Sequence, residues 1–104
     1  MRIYLSGRIS GTEDYLERFE KAERKLKSRG WTCDVINPAR ICSMLPRDMS
    51  HSEYMLVCIA MLSVCDAIYI IDPHDVETSN GVKEECIYAL SHKMQIIYGD
   101  GEDS

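Results

Sequence analysis

Residues 65–92 read CDAIYIIDPHDVETSNGVKEECIYALSH, and their change of period decides the fold. Asp66 to Ile71 is an apolar run of strand length, closed by Asp72-Pro73; Asp72 to Thr78 then reads as a polar loop. From about Ser79 to His92 the spacing becomes helical, with Val82, Cys86, Ala89 and Leu90 as the inward stripe. At about 100° per residue, Glu85 lies roughly 60° from Val82 and 40° from Ala89, inside that stripe, whereas Glu84 points to the opposite side. An acid in the first turn of a helix, among apolar neighbours and near the positive end of the helix dipole, suits a catalytic group or ligand contact. The same position also suits an ordinary solvated first-turn acid.

Outward from this segment, the chain repeats strand and helix alternately. Arg2 to Ser6 reads as a first strand and Gly7–Gly11 as a tight loop. Ser10 and Glu13 have capping-box spacing, which predicts a helix start there; Leu16, Phe19, Ala22 and Leu26 form its buried stripe and Gly30 ends it. Thr32 to Ile36 is the second strand, broken by Asn37-Pro38, and Pro38 to Met49 an irregular connection with one short helical turn. Ser50 and Glu53 give a second capping-box signal before Tyr54–Cys65, a helix apolar almost all round. Covering such a helix on more than one side predicts a homodimer, or long loops in its place. Met94 to Tyr98 is the fourth strand. Strand and helix in alternation mean an α/β protein with a parallel sheet. The 104 residues make one domain over 1–98, followed by an acidic tail at 99–104.

A net charge of −5 argues against a nucleic-acid polymer as partner, since such binding needs a basic footprint. Backbone amides at helix starts can still hold a small anion. The five cysteines, Cys33, Cys42, Cys58, Cys65 and Cys86, form no Cys-x-x-Cys pair and read as reduced residues of a cytoplasmic protein. No signal peptide is expected, and Tyr54–Cys65 falls short of the roughly 20 residues that cross a bilayer, so no membrane partner is expected.

In an open parallel sheet, ligands bind beyond the carboxyl ends of the strands where strand order reverses. Two loops belong there: Ser6–Thr12 and Asp72–Gly81. Ser6, Gly7, Ser10 and Gly11 allow backbone amides to approach an anion, Ser79-Asn80-Gly81 does the same at the start of the Glu85 helix, and Arg8 adds a bidentate charge. Gly and Ser are also plain turn residues. The other conspicuous side chains have ordinary readings: His51 and His92 as helix-end residues, His74 in the ligand-edge loop, Trp31 as structural, Tyr15 and Tyr54 as packing or base-stacking aromatics, and Met44, Met49, Met55 and Met61 as soft packing. No histidine has a metal-ligand partner at useful spacing.

The segment Cys65-Asp66-Ala67-Ile68, then Ser79-x-Gly81-x-x-x-Glu85 and Tyr88-Ala89-Leu90, with the opening Tyr4-x-Ser6-Gly7-x-Ile9-x-Gly11, resembles the nucleoside 2-deoxyribosyltransferase superfamily. That superfamily includes 2′-deoxynucleoside 5′-monophosphate N-hydrolases and short bacterial and phage proteins that share Ile-Ser-Gly-Thr and Ile-Asn-Pro-Ala-Arg. The resemblance implies a flavodoxin-like, Rossmann-like three-layer sandwich of four or five parallel strands. It also implies hydrolysis of a nucleotide's N-glycosidic bond, with a non-catalytic nucleotide binder and a deoxyribosyl transferase as alternatives. On that resemblance Glu85 is the nucleophile that attacks the anomeric carbon, Tyr4 an active-site tyrosine near it, and Ser79 and Gly81 hold the 5′-phosphate with Gly7, Ile9 and Ser10. The family's helical aspartate, eight residues before Asp66, is here Cys58. Asp66, Asp72 or Asp75 could assume part of its role, Asp75 lying closest to Glu85 along the chain. The glycosidic chemistry implies no cofactor and no metal.

Overall fold

The computed structural model describes residues 1–9, 13–29 and 34–99. Among the described residues four strands, β1 (Arg2–Ser6), β2 (Asp34–Ile36), β3 (Ala67–Ile70) and β4 (Gln95–Tyr98), form one sheet in the order β2-β1-β3-β4. All neighbours are parallel, with Tyr4 opposite Ile36 and Ile68, and Ile68 opposite Ile96. Five helices among the described residues connect them: α1 (Tyr15–Ser28), α2 (Pro38–Cys42), α3 (His51–Ser63), α4 (Asp75–Thr78) and α5 (Asn80–Ser91).

Strand alternation divides the core into two faces. Ile3, Leu5, Ala67, Tyr69 and Ile71 pack with Phe19, Ala22 and Leu26 of α1 and Ala39 of α2. On the opposite face, Tyr4 and Ile68 pack with Leu62 of α3 and Ala89 of α5, while Ile70 meets Val82 and Cys86. Helices on both sides of a parallel sheet make the three-layer α/β sandwich expected from the sequence. The chain passes from β1 outward to β2 and then returns past β1 to β3, so strand order reverses between β1 and β3.

The helix starts follow local chemistry. Ser50 and Glu53 exchange the two hydrogen bonds of a capping box at α3, and Asn37 caps α2 with Pro38 in its first turn. The expected start of α1 at Ser10–Glu13 moves to Tyr15 after Asp14, whose side chain makes no capping hydrogen bond; Ser10 lies outside the described residues. So do Gly11, Thr12, Gly30, Trp31, Thr32 and Cys33, and the described part of the second strand begins at Asp34. Within the expected polar loop Asp72–Thr78, the last four residues form α4.

Two apolar stripe positions are corrected: Leu16 is 41% exposed and Leu90 66%. Each sits roughly 90° from the mean direction of its helix's buried residues, on a flank that no neighbouring element covers. Arg18 and Glu23 are buried on α1 instead. Glu23 accepts hydrogen bonds from Lys27 at 2.8 Å and Asn37 at 3.1 Å and lies 3.3 Å from Arg40. Burial alone would raise its pKa, but these partners outweigh it and hold the carboxyl low.

Candidate active site

Tyr4 and Ser6 are alternate residues of β1, so both side chains point to the α3–α5 face. Glu85 reaches them from the second turn of α5, one turn further in than the first-turn position expected for it, and is 5% exposed. Its Oε1 accepts a hydrogen bond from Ser6 Oγ at 2.8 Å and its Oε2 one from the Tyr4 hydroxyl. Burial dominates the carboxyl's acidity and raises its pKa to about 8; Tyr4 and Ser6, which favour the ionised form, only partly oppose that, and the nearby Cys58 and Glu84 add to the rise. Tyr4 is pushed up as well, by burial first and by Glu85 second.

Glu85 lies on the wall of a cavity of about 220 Å³ at the carboxyl edge of β1. Gly7, Arg8 and Ile9 from the first loop line one side; Thr78, Ser79, Asn80 and Gly81 line another; His51, Tyr54, Met55 and Cys58 from α3 form a third. Glu85 is the only carboxylate among the described lining residues. The start of α5 faces this space, and Ser79 caps the helix by accepting from Val82 N at 3.4 Å. A helix of this length brings unpaired N–H groups and positive dipole to the cavity, a natural anion seat. Arg8 joins the two loops: its Nη2 donates to Thr78 O at 2.6 Å and its Nε lies 3.9 Å from Asp75. The guanidinium has further N–H groups for an anion. A second groove of about 430 Å³ adjoins this cavity, shares His51 and Tyr54 with it, and is also lined by Tyr15 and Cys42.

The structure brings together most of the residues singled out in the sequence, and moves two. Tyr4, Gly7, Arg8, Ile9, Ser79, Asn80, Gly81 and Glu85 all line the cavity. Ser6 does not line it as part of an anion loop; its hydroxyl is buried against Glu85. Asp75 is not in the lining either: its buried carboxylate faces Arg8, accepts from Arg8 N at 3.3 Å and lies 3.7 Å from Arg18 Nη2. That clasp ties α4 to the first loop and to α1. Ser10 and Gly11 lie outside the described residues. Gly81 is roomy, since an added Cβ would meet Met55 Sδ only at 3.6 Å, whereas at Gly7 it would press Ile71 and Phe19 at 3.1–3.2 Å.

Cys58 is buried on the cavity wall. Its thiol is pushed far up, first by contact with the Cys42 thiol and then by burial. Cys42 is held down to about 7, chiefly because that same contact favours its thiolate, and it lies 3.3 Å from the Tyr54 hydroxyl. The sequence reading missed His51, whose Nε2 lies 3.3 Å from Glu84 Oε2 on the neighbouring helix. The spacing His51, Tyr54, Met55, Cys58 was the available signal, because it sets one face of α3 toward Glu85.

Strand order, buried acid and paired loops define a parallel α/β protein with a cavity at its topological switch point. The chain belongs to the family described as Domain of unknown function (DUF4406), whose model matches residues 1–98. No curated protein and no solved structure matches it.

Proposed function

We propose that this protein binds a deoxynucleoside 5′-monophosphate or similar nucleotide and hydrolyses its N-glycosidic bond through Glu85. The reading is carried by one observation: a buried carboxylate, both oxygens held by Tyr4 and Ser6, opens onto a cavity rimmed by two anion-suited loops. Arg8 and the amides around Ser79–Gly81 take the phosphate, which places the sugar against Glu85. In its ionised form Glu85 attacks the anomeric carbon and forms a glycosyl ester, which water then hydrolyses. Tyr4 and Ser6 fix the attacking oxygen, so that little reorganisation remains at the moment of reaction. The resemblance to nucleoside 2-deoxyribosyltransferases supports the same assignment.

The test is release of free base from a panel of ribo- and deoxyribonucleoside monophosphates, followed by chromatography. Release is expected from the wild type and lost in Glu85→Ala, with the variant's fold unchanged by circular dichroism. Turnover retained by Glu85→Ala removes Glu85 from the mechanism. A second reading, nucleotide binding without catalysis, is favoured by Cys58, whose thiol keeps its proton where the family has a carboxylate. Thermal stabilisation by a nucleotide with no base release selects it.

A homodimer belongs to the same proposal. Leu56 of α3 and Ile87 and Leu90 of α5 stay 57–73% exposed although the two helices pack together, and a second copy would cover them. Sedimentation at micromolar concentration is expected to give twice the chain mass, and a monomer there removes the dimer. No helix among the described residues is long and apolar enough to cross a membrane, and a cytoplasmic location fits the thiols.

A further inference from the structure

Breaking an N-glycosidic bond sends the bonding electron pair onto a ring nitrogen of the base, and a poor leaving group needs a proton there. Around the cavity few side chains can supply one. Burial raises the phenols of Tyr4 and Tyr54, contact with Cys42 raises the Cys58 thiol, and a guanidinium such as Arg8 does not release its proton. Glu85 is occupied as nucleophile. The imidazole of His51 remains, with two ring nitrogens that can carry a proton.

Its placement fits the task. His51 opens α3 on the face that carries Tyr54, Met55 and Cys58, seven residues before Cys58 and therefore roughly 10 Å nearer the cavity mouth along the helix. A sugar lodged against Glu85 directs its base toward that mouth. His51 also lines the adjoining groove with Tyr15 and Tyr54, where a planar ring finds aromatic neighbours. Glu84 Oε2 lies 3.3 Å from His51 Nε2, which leaves Nδ1 for the substrate.

We infer that His51 protonates the departing base, with Glu84 as its positioning residue, an inference that rests on the N-glycosidase reading above. Glu85 Oε forms a bond to the anomeric carbon as the carbon–nitrogen bond breaks. The electron pair stays on the base nitrogen, which takes the Nδ1 proton, and a neutral base leaves. The neutral imidazole then accepts a proton from the water that attacks the same carbon. The ester bond breaks, its electron pair returns to Glu85, and both groups regain their starting protonation.

The experiment compares two leaving groups on wild type, His51→Gln, Glu84→Gln and Glu85→Ala. One substrate is the deoxynucleoside monophosphate cleaved fastest in the panel; the other is 4-nitrophenyl 2-deoxyriboside 5-phosphate, whose phenolate departs without a proton. His51→Gln is expected to slow base release by about 10²–10⁴-fold while nitrophenolate release changes by less than about 3-fold. Glu84→Gln is expected to show the same selectivity with a loss of roughly 3–10-fold, and Glu85→Ala to lose both reactions. Equal slowing of both substrates by His51→Gln, or none of either, overturns the inference while leaving the N-glycosidase reading intact. Glu85-dependent nitrophenolate release from a wild type that frees no natural base overturns both the inference and the N-glycosidase reading, leaving Glu85 only as a nucleophile toward an activated leaving group. A wild type that releases neither group overturns the reading and the inference together. His51 is half-exposed and its variant should melt with the wild type, so a folding defect does not obscure the result.

Discussion

Glu85→Gln should make the protein more stable, and by an amount that depends on pH. The carboxyl's ordinary pKa is 4.5, and in the folded chain it is about 8, raised first by burial. Between those values the folded state holds a proton that the unfolded state has released, so stability falls as pH rises through this window. The stabilising contribution is fully present below about 4.5 and is lost by the time pH has passed 8. At 1.36 kcal/mol per unit, the whole change approaches about 5 kcal/mol, of which about 3 kcal/mol is gone at pH 7. Glutamine occupies the same volume, keeps an oxygen for one hydroxyl donor and offers its amide to the other, and has no charge to bury. Thermal melting of both proteins from pH 4.5 to 9 reads the difference. The curves should meet near pH 4.5 and separate steadily, with the variant melting at least roughly 10 °C higher at pH 7. Parallel curves across that range would show that Glu85 ionises as easily folded as unfolded, and the argument from burial would fail.

Three further outcomes are expected. If the 4-nitrophenyl 2-deoxyriboside 5-phosphate, whose leaving group needs no proton, is cleaved, its kcat/KM should climb with pH along a limb centred near 8, because the attacking group must be ionised; a limb centred near 4.5 contradicts the raised acidity constant. Gly99→Ala should cost about 1–3 kcal/mol in urea unfolding, since its Cβ would lie 2.5 Å from Ile71 O and 2.8 Å from the Tyr69 hydroxyl, and an unchanged midpoint refutes the contact. Among Cys42, Cys58, Cys65 and Cys86, iodoacetamide at pH 7.5 should alkylate Cys42 first, as its thiol is held down to about 7 while the other three are raised; peptide mapping that finds Cys65 or Cys86 first refutes that order.

The layer architecture was legible because each strand is a short apolar run and each long helix repeats at its own period. Glu85 was legible because helical geometry forces it into the stripe of Val82, Cys86 and Ala89. Leu16 and Leu90 were misread for the reason that makes amphipathic patterns imprecise: a residue at the edge of a stripe is buried only if a neighbouring element reaches it, and that is a tertiary fact. Asp75 was placed at the chemistry by its closeness in sequence, but two arginines on separate elements draw its carboxylate away from the cavity. Ser6 looked like part of an anion loop, yet strand alternation sends its hydroxyl inward to Glu85. His51 reads as a helix-end residue until the packing of α3 beside α5 shows Glu84 next to it.

The two hydroxyls that hold Glu85 come from β1, the inner strand paired with both β2 and β3. Releasing that carboxylate therefore means taking apart the middle of the sheet, not opening a loop. Backbone amides of β1 and β3 should exchange with deuterium only through global unfolding, while those of the rim loops exchange through local openings. Substitutions elsewhere that weaken the fold should accordingly lower the fraction of molecules that hold the Tyr4–Ser6–Glu85 arrangement and leave its geometry in each intact molecule unchanged. The acid centre is thus present or absent as a whole, and the rim around it is free to vary.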